Sequence, residues 1–191
     1  MTPVRILSIA AGSRGTKYAS YASEHPDRMQ VVGVAEPRDF YRERLVSTHD
    51  IPPEHVFSGW KQAAESDRFA DAVIIATQDA MHADPAAAFA GRGYHILLEK
   101  PMAPNEADCR RIVNAARESN VILTVCHEMR YTQYTQQLKG IVDSGAIGEI
   151  VSIQHLEPVG YWHQAHSYVR GNWRNDAESS PMLLAKSCHD L

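Results

Sequence analysis

The sequence predicts an α/β fold built on a doubly wound parallel sheet. Short apolar runs of strand length alternate with segments of helical period, joined by short links, through the first 130 residues. The run at residues 72–76 is apolar throughout, which is typical of a strand buried on both faces. A glycine-containing turn, from Gly12 to Gly15, follows the first run and opens the first helix. Together these features indicate a Rossmann-like domain.

Each predicted element follows from a local pattern. The predicted strands are the apolar runs at residues 4–10, 31–35, 56–57, 72–76, 95–98 and 121–125. The predicted helices are residues 15–23, 38–48, 60–66, 84–91, 105–119 and 136–143. Asn105 is the expected N-cap of the helix that follows it, and Gly145 is expected to end the last helix.

The pattern changes near residue 150. Residues 150–156 mix apolar and polar side chains, which predicts a strand with one face in water. Residues 160–180 are rich in Trp, Tyr, His and Asn and show no regular period, so we expect an irregular stretch that is either a loop or a site-forming surface. We therefore divide the chain into a first domain at residues 1–130 and, at residues 131–191, a connecting helix with the start of a second domain.

The composition excludes several classes of protein. Of the 191 residues, 44% are hydrophobic and 22% charged, which suits a folded core rather than disorder. No apolar run is long enough to cross a bilayer, so we expect no membrane association. The net charge of −4 argues against nucleic acid as a partner. Cys109, Cys126 and Cys188 are widely spaced and odd in number, which favours reduced thiols and a cytoplasmic location.

The turn after the first strand has the features of a dinucleotide-binding loop. Gly12 is at the position where the backbone approaches the pyrophosphate, and Gly15 is at the position where the helix packs on the strand. Ala10 occupies the position of the first glycine in the usual pattern. Glu36 closes the second strand, at the distance expected of an acid that binds the adenosine ribose. This acid favours NAD, although Arg38 is close enough to reach a 2′-phosphate and leaves NADP open. The alternative is a packing turn and a solvated glutamate.

A second group of residues, Glu99, Lys100 and Pro101, follows the strand at residues 95–98. In an open α/β sheet, ligands bind at the carboxyl ends of the strands. A lysine held there by the following proline can bind a substrate hydroxyl and share its proton. The alternative is a surface lysine that precedes a proline in a loop.

Other candidates are weaker. His163 and His166 are three positions apart, but no cysteine or carboxylate spacing supports a metal site, so we expect no metal. The aromatic residues near the end of the chain fit two interpretations equally: they stack on a sugar or nicotinamide ring, or they cover a core. They are Tyr161, Trp162, Tyr168 and Trp173.

Taken in order, these motifs resemble those of the Gfo/Idh/MocA oxidoreductases. The resemblance covers almost the whole chain, and the Glu-Lys-Pro motif is its most specific single part. It rests on the Gly12–Gly15 turn, on Ala76-Thr77 with His82, on residues 98–102, on residues 127–131, on residues 145–150 and on Cys188-His189-Asp190. It implies NAD(P)-dependent hydride transfer between the cofactor and a hydroxyl of a sugar, inositol or related polyol.

The resemblance also implies a role for individual residues. The cofactor-binding residues would be Gly12, Ser13, Arg14, Gly15, Glu36, Thr77, His82, Glu99, Lys100, Trp173 and Arg174. Lys100, Arg130 and His189 would contact the substrate, with Lys100 and His189 in proton transfer. Many members have an aspartate four residues before this histidine, where this chain has Ala185, and Lys186 beside it is therefore a further catalytic candidate.

Two alternatives to the dehydrogenase remain open. The same scaffold uses bound NAD for a transient oxidation in glycoside cleavage, and the fold also serves non-catalytic dinucleotide-binding regulators. Family members carry a second domain with an open, mostly antiparallel sheet, for which the 41 residues after Ile150 are too few. We therefore expect the chain to be the N-terminal portion of a homo-oligomeric enzyme, and whether it is active alone stays open.

Overall fold

The computed structural model describes residues 2–175 and 178–186. The chain divides into two units, Met1–Val125 and Cys126–Leu191. No helix in the described part of the chain is both long and apolar enough to cross a membrane.

A six-stranded parallel sheet forms the centre of the first unit. Its strands are β1 (Val4–Ile9), β2 (Met29–Ala35), β3 (Val56–Phe57), β4 (Ala72–Ile75), β5 (His95–Leu98) and β6 (Leu123–Val125). Their order across the sheet is β3-β2-β1-β4-β5-β6, and every neighbouring pair is parallel. The strand order reverses direction between β1 and β4, which is the arrangement of a doubly wound Rossmann sheet. The predicted fold class is confirmed.

Helices cover both faces of this sheet. They are α1 (Ser13–Glu24), α2 (Asp39–His49), α3 (Trp60–Glu65), α4 (Ala83–Gly91) and α5 (Glu106–Glu118). One core cluster joins α1 and α2 to β2 through residues such as Ala19, Val34 and Leu45. The other joins α4 and α5 to the sheet, with Phe89 and Ile112 fully buried. Apolar side chains thus leave water on both sides of the strands, as the uniformly apolar run of β4 predicts.

The predicted ends of two helices are also confirmed. The side chain of Asn105 accepts a hydrogen bond from the backbone N–H of Asp108 (2.9 Å), so it caps α5. In the second unit, helix α6 (Gln133–Asp143) is followed by Gly145 in the left-handed region, with φ of +72°.

Two sequence predictions for the second unit are wrong. Residues 150–156 form no strand, and Val151 is 96% exposed. A strand needs a neighbour to satisfy its backbone groups, and the described residues of this unit provide none. The expected irregular loop instead contains a helical turn, α7 (Tyr161–His163), that continues into a π-helical segment, Gln164–Val169. The last described helix is α8 (Met182–Lys186).

The start of α1 provides a test of how tightly the first turn is packed. A Cβ atom at Gly15 would overlap the carbonyl oxygen of Ala10, whereas one at Gly91 would meet nothing within 4 Å. We expect Gly15→Ala to lower the free energy of unfolding by about 2 kcal/mol, because the backbone must shift. Gly91→Ala should change it by less than about 1 kcal/mol. Chemical denaturation checks this, and equal stability of the two variants would contradict the packing described.

Candidate functional site

The carboxyl ends of four neighbouring strands form one edge of the sheet. Ile9 of β1 pairs in register with Ala35 of β2 and with Ile75 of β4, which in turn pairs with Leu98 of β5. The residues that follow these four positions therefore emerge side by side. The structure brings the predicted site residues of the first unit together at this edge, where ligands bind in open α/β sheets.

The turn between β1 and α1 is shaped to receive an anion. Ala10 adopts the left-handed conformation, with φ of +75°, at a cost of about 1 kcal/mol for a residue with a Cβ atom. The turn thus keeps the backbone path that a glycine would give it. In the described part of the chain, no side chain caps α1 and its first turn holds no acidic residue. The backbone N–H groups in the first turn of α1, together with Gly12, therefore form an anion-binding turn that fits a dinucleotide pyrophosphate. We call this turn, residues 12–15, the cradle.

Glu36 lies at the end of β2 and is only 1% exposed. Its Oε2 atom accepts hydrogen bonds from the Ala11 N–H (2.8 Å) and from Arg38 Nη2 (2.9 Å). Its Oε1 atom accepts from the backbone N–H (3.0 Å) and Nε (2.7 Å) of Arg38. Burial alone would raise the pKa of Glu36, but these hydrogen bonds from Arg38 and Ala11 hold the pKa below its ordinary value. The carboxylate is therefore ionised at neutral pH, with both oxygens engaged by its own chain.

Glu99 connects the end of β5 to α1. Its carboxylate is nearly buried and accepts hydrogen bonds from the Tyr18 hydroxyl (2.9 Å) and from the Lys100 N–H (2.6 Å). Arg14 Nε lies 3.5 Å from the same carboxylate. Lys100 is half-buried, at the carboxyl edge, and its peptide bond to Pro101 is cis. The position of Lys100 thus depends on a carboxylate that is itself held by the first helix.

His82 connects two loops at the same edge. It is 1% exposed, and both ring nitrogens face backbone carbonyl oxygens. Nδ1 lies 3.1 Å from the carbonyl oxygens of both Pro101 and Met102, and Nε2 lies 3.2 Å from that of Thr77. The loop after β4 is therefore tied to the loop that follows Lys100. Thr77 itself is half-buried, with its hydroxyl 3.4 Å from the carbonyl oxygen of Met81.

The remaining predicted site residues belong to the second unit. Arg130 and Arg174 are exposed. Trp173 is half-buried, and its backbone N–H donates a hydrogen bond to the carbonyl oxygen of Ser167 (3.2 Å). Lys186 ends α8, but its side chain lies outside the described residues, as does the whole of His189.

Among the described residues, which do not include Cys188, the cysteine and histidine candidates add no further site. Within residues 2–175 and 178–186, no group of three or more His, Cys, Asp or Glu side chains is arranged to hold a metal ion. Burial raises the pKa of the Cys109 thiol, so the less nucleophilic protonated form dominates at neutral pH. Cys126 is buried.

Sequence reasoning missed three residues that contact the edge. Tyr18 holds Glu99, Arg44 donates from Nη2 to the Thr16 hydroxyl (3.0 Å), and the Tyr41 ring lies beneath the Arg38 guanidinium at 4.1 Å. Tyr18 follows Gly15 by three positions on α1, a spacing that indicates a shared face. Tyr41 likewise lies three positions after Arg38, but no local signal marks the contact of Arg44 with Thr16, which is 28 positions away in the sequence.

Comparison with known proteins identifies the fold and its usual ligand. The model of the Gfo/Idh/MocA family, described as an oxidoreductase family with an NAD-binding Rossmann fold, matches residues 4–127. The chain is 35% identical to scyllo-inositol 2-dehydrogenase (NADP(+)) IolU of Bacillus subtilis over 68% of this chain and 35% of that protein. It is 30% identical to 2,7-anhydro-N-acetylneuraminate hydratase of Escherichia coli over 68% of this chain and 34% of that protein.

A solved structure is similar over nearly the whole chain. Scyllo-inositol dehydrogenase from Lactobacillus casei, with bound cofactor NAD(H) and scyllo-inositol, gives a TM-score of 0.86 at 18% identity. The match covers 98% of this chain and 54% of that one, and at this identity it shows the fold alone. The chain spans about a third of the length of the curated relatives that it matches.

The three carbonyl contacts of His82 generate a prediction. Replacing His82 with Leu removes the imidazole from a buried position with little change in volume, and a buried carbonyl that loses its N–H donor is costly. We expect His82→Leu to lower the free energy of unfolding by at least about 2 kcal/mol and to speed amide hydrogen exchange at residues 99–103. His49→Leu, at a half-buried histidine of α2, is the matched control and should leave that exchange unchanged. Unchanged exchange in both variants would exclude this role.

Proposed function

This chain belongs to the Gfo/Idh/MocA family of oxidoreductases, and on that premise we propose that it is the cofactor-binding part of an NAD(P)-dependent dehydrogenase. The substrate would be a secondary alcohol of a sugar, an inositol or a related polyol. One observation carries the proposal: the in-register strand ends place the anion cradle after β1, the Thr77 loop after β4 and Lys100 after β5 at one edge. A dinucleotide bound along that edge would have its pyrophosphate at the cradle and its nicotinamide towards the lysine.

The cradle would hold the pyrophosphate of the cofactor. Gly12 and Gly15 would allow the backbone to approach it, and the N–H groups of Ser13 and the next residues would donate hydrogen bonds to it. Arg14 is exposed beside the turn and adds a positive charge. Thr77 would line the cleft towards the nicotinamide. When bound, the nicotinamide supplies the hydride acceptor.

Lys100 would act on the substrate hydroxyl. Its ammonium group donates hydrogen bonds to the hydroxyl oxygen, which favours the alkoxide that forms as the hydride leaves. Loss of the hydroxyl proton also requires an acceptor, and the family resemblance gives this task to His189 together with Lys100. Arg130 would hold the substrate, and Lys186 is the candidate to replace the acid absent at Ala185.

The structure favours supporting roles for His82 and Glu99 over direct contact with the cofactor. Both side chains are buried, and both make hydrogen bonds within the first unit that fix the turn around Lys100. Trp173 and Arg174 would be further cofactor-binding residues, as the family resemblance implies. Residues 131–191 would then contain the connecting helix and the start of the substrate domain, in an enzyme that assembles as a homo-oligomer.

Replacing the proposed catalytic lysine tests this function. In the complete protein that contains this sequence, Lys100→Met should lower kcat at least about 100-fold, because acid–base catalysis contributes at least that much. The dissociation constant for the reduced cofactor should change less than threefold. Lys100→Arg, which keeps the charge but does not exchange its proton, should be nearly as slow. Lys61→Met on α3 is the control, and full turnover by Lys100→Met would refute the proposal.

A second candidate reaction uses the same site without net oxidation. It is favoured by the similarity to a protein named a hydratase and by Ala185, where many family members carry an acid. Transient oxidation of a sugar hydroxyl to a ketone would acidify the neighbouring C–H bond. A base would take that proton as the leaving group on the next carbon departs, and water would then add across the double bond that forms. Re-reduction then returns the hydride, and the nicotinamide ends in its starting oxidation state.

The two reactions differ in what accumulates. A dehydrogenase produces one NADH or NADPH for each polyol oxidised. The second reaction releases or rearranges the sugar with no net change in absorbance of the reduced nicotinamide, and it incorporates deuterium from D2O at the acidified carbon. Polyol oxidation with matching formation of reduced cofactor, and no deuterium incorporation, would exclude the second candidate.

A further inference from the structure

We propose that Tyr18 is a positioning residue for Lys100, and that it acts by holding the carboxylate of Glu99. The inference rests on the proposed function, since it concerns the lysine that acts on the substrate hydroxyl. It adds a residue that neither the sequence motifs nor the family resemblance assigns. Tyr18 touches neither cofactor nor substrate in this proposal, and it belongs to the framework that keeps Lys100 in place at the carboxyl edge.

The first step is the arrangement of the two carboxylate oxygens of Glu99. Oε1 accepts a hydrogen bond from the Tyr18 hydroxyl (2.9 Å), and Oε2 accepts one from the backbone N–H of Lys100 (2.6 Å). The side chain is 8% exposed, so the carboxylate occupies a nearly buried place between the helix and the lysine. A rotation of the carboxylate that breaks the bond at one oxygen therefore also moves the acceptor of the Lys100 N–H.

The second step is the reach of the Tyr18 side chain. Helix α1 begins after β1, whereas Glu99 follows β5, and β4 lies between these two strands. Neighbouring strands are about 5 Å apart, so a long side chain with a donor at its end is needed to join α1 to Glu99 across β4. A tyrosine meets this need, and a phenylalanine of the same shape has no donor. Gly15, one turn before Tyr18, packs against the Ala10 carbonyl and fixes the end of the helix from which the side chain extends.

The third step is the comparison of Tyr18 with Arg14, a second group near Glu99. Arg14 lies four positions before Tyr18, on the same face of α1. Its Nε atom is 3.5 Å from Oε1 of Glu99, and its side chain is 50% exposed. Ion pairs that are open to water contribute little, because water screens the charges. The Tyr18 hydroxyl lies closer, at 2.9 Å, on a half-buried residue, and is therefore the firmer hold on the carboxylate.

The first test measures the Lys100 N–H directly and needs no substrate. Amide hydrogen exchange of this chain is followed by NMR in Tyr18→Phe, which removes the hydroxyl and keeps the ring. We expect exchange at Lys100 to become at least about fivefold faster, because the acceptor of this N–H is no longer held. Tyr21→Phe on the same helix is the matched control: it removes a hydroxyl that contacts Arg28 (3.3 Å) and should leave exchange at Lys100 unchanged. Arg14→Gln should change this exchange less than about twofold.

The second test separates positioning from binding. In the complete protein that contains this sequence, initial rates are measured with NAD and NADP against a panel of inositols and aldoses. Tyr18→Phe should lower kcat at least about tenfold, because a small displacement of a catalytic group slows a reaction steeply. KM for the polyol and the dissociation constant of the reduced cofactor should change less than about threefold. In a Glu99→Ala background, Tyr18→Phe should lower kcat by no more than about twofold, because the residue through which it acts is absent. Tyr21→Phe should keep full kcat.

The two readouts separate this role from the proposed function. Unchanged exchange at Lys100 or full kcat in Tyr18→Phe, or a larger change of exchange in Arg14→Gln, overturns the role of Tyr18 and leaves the dehydrogenase proposal intact. An equal loss of kcat with and without Glu99 also overturns it, because Tyr18 then acts by another route. Faster exchange in Tyr18→Phe together with full turnover of Lys100→Met keeps the positioning role and overturns the proposed reaction. If no polyol of the panel is oxidised, the proposed reaction fails, and exchange alone decides the role of Tyr18.

Discussion

The close approach of α1 to the end of β1 is the constraint on which the rest of the site depends. Gly15 leaves no room for a side chain against the Ala10 carbonyl, so the turn between them has a single path. Three neighbours are then fixed from this one segment: the Ala11 N–H binds Glu36, Thr16 binds Arg44, and Tyr18 binds Glu99. This segment thus contacts the ends of β2 and β5 and the middle of α2.

A second connection completes the edge on the opposite side of β1. His82 lies between the loop after β4 and the loop after β5, with its two ring nitrogens 3.1 and 3.2 Å from carbonyl oxygens of Pro101 and Thr77. Its position is fixed because α4 begins immediately after it, with Ala83 and Ala86 in the core. Lys100 therefore stands between two buried side chains, Glu99 and His82, that hold its backbone on either side. Such support is what a proton-transferring residue requires if its geometry is to be preserved.

The sequence allowed the fold of the first unit to be predicted because the signals are local. Alternation of apolar runs with helical periods identified each strand, and the cap at Asn105 depends on a partner only three residues away. The prediction failed at residues 150–156, where a strand-like pattern has no neighbouring strand in the described part of its unit. Strand formation depends on a partner that a single segment does not specify.

The same argument explains which parts of the site the sequence predicted. Gly12, Glu36 and Lys100 were located by their distance from strand ends, which is a property of the chain alone. Whether the oxygens of Glu36 are open to a ligand was not predictable, because that depends on how the Arg38 side chain folds back and on an N–H group 25 positions away. An acid at the end of the second strand is therefore an incomplete indicator of cofactor choice. In this structure the Glu36 carboxylate is engaged by Ala11 and Arg38, and the Arg38 guanidinium is the more exposed member of the pair.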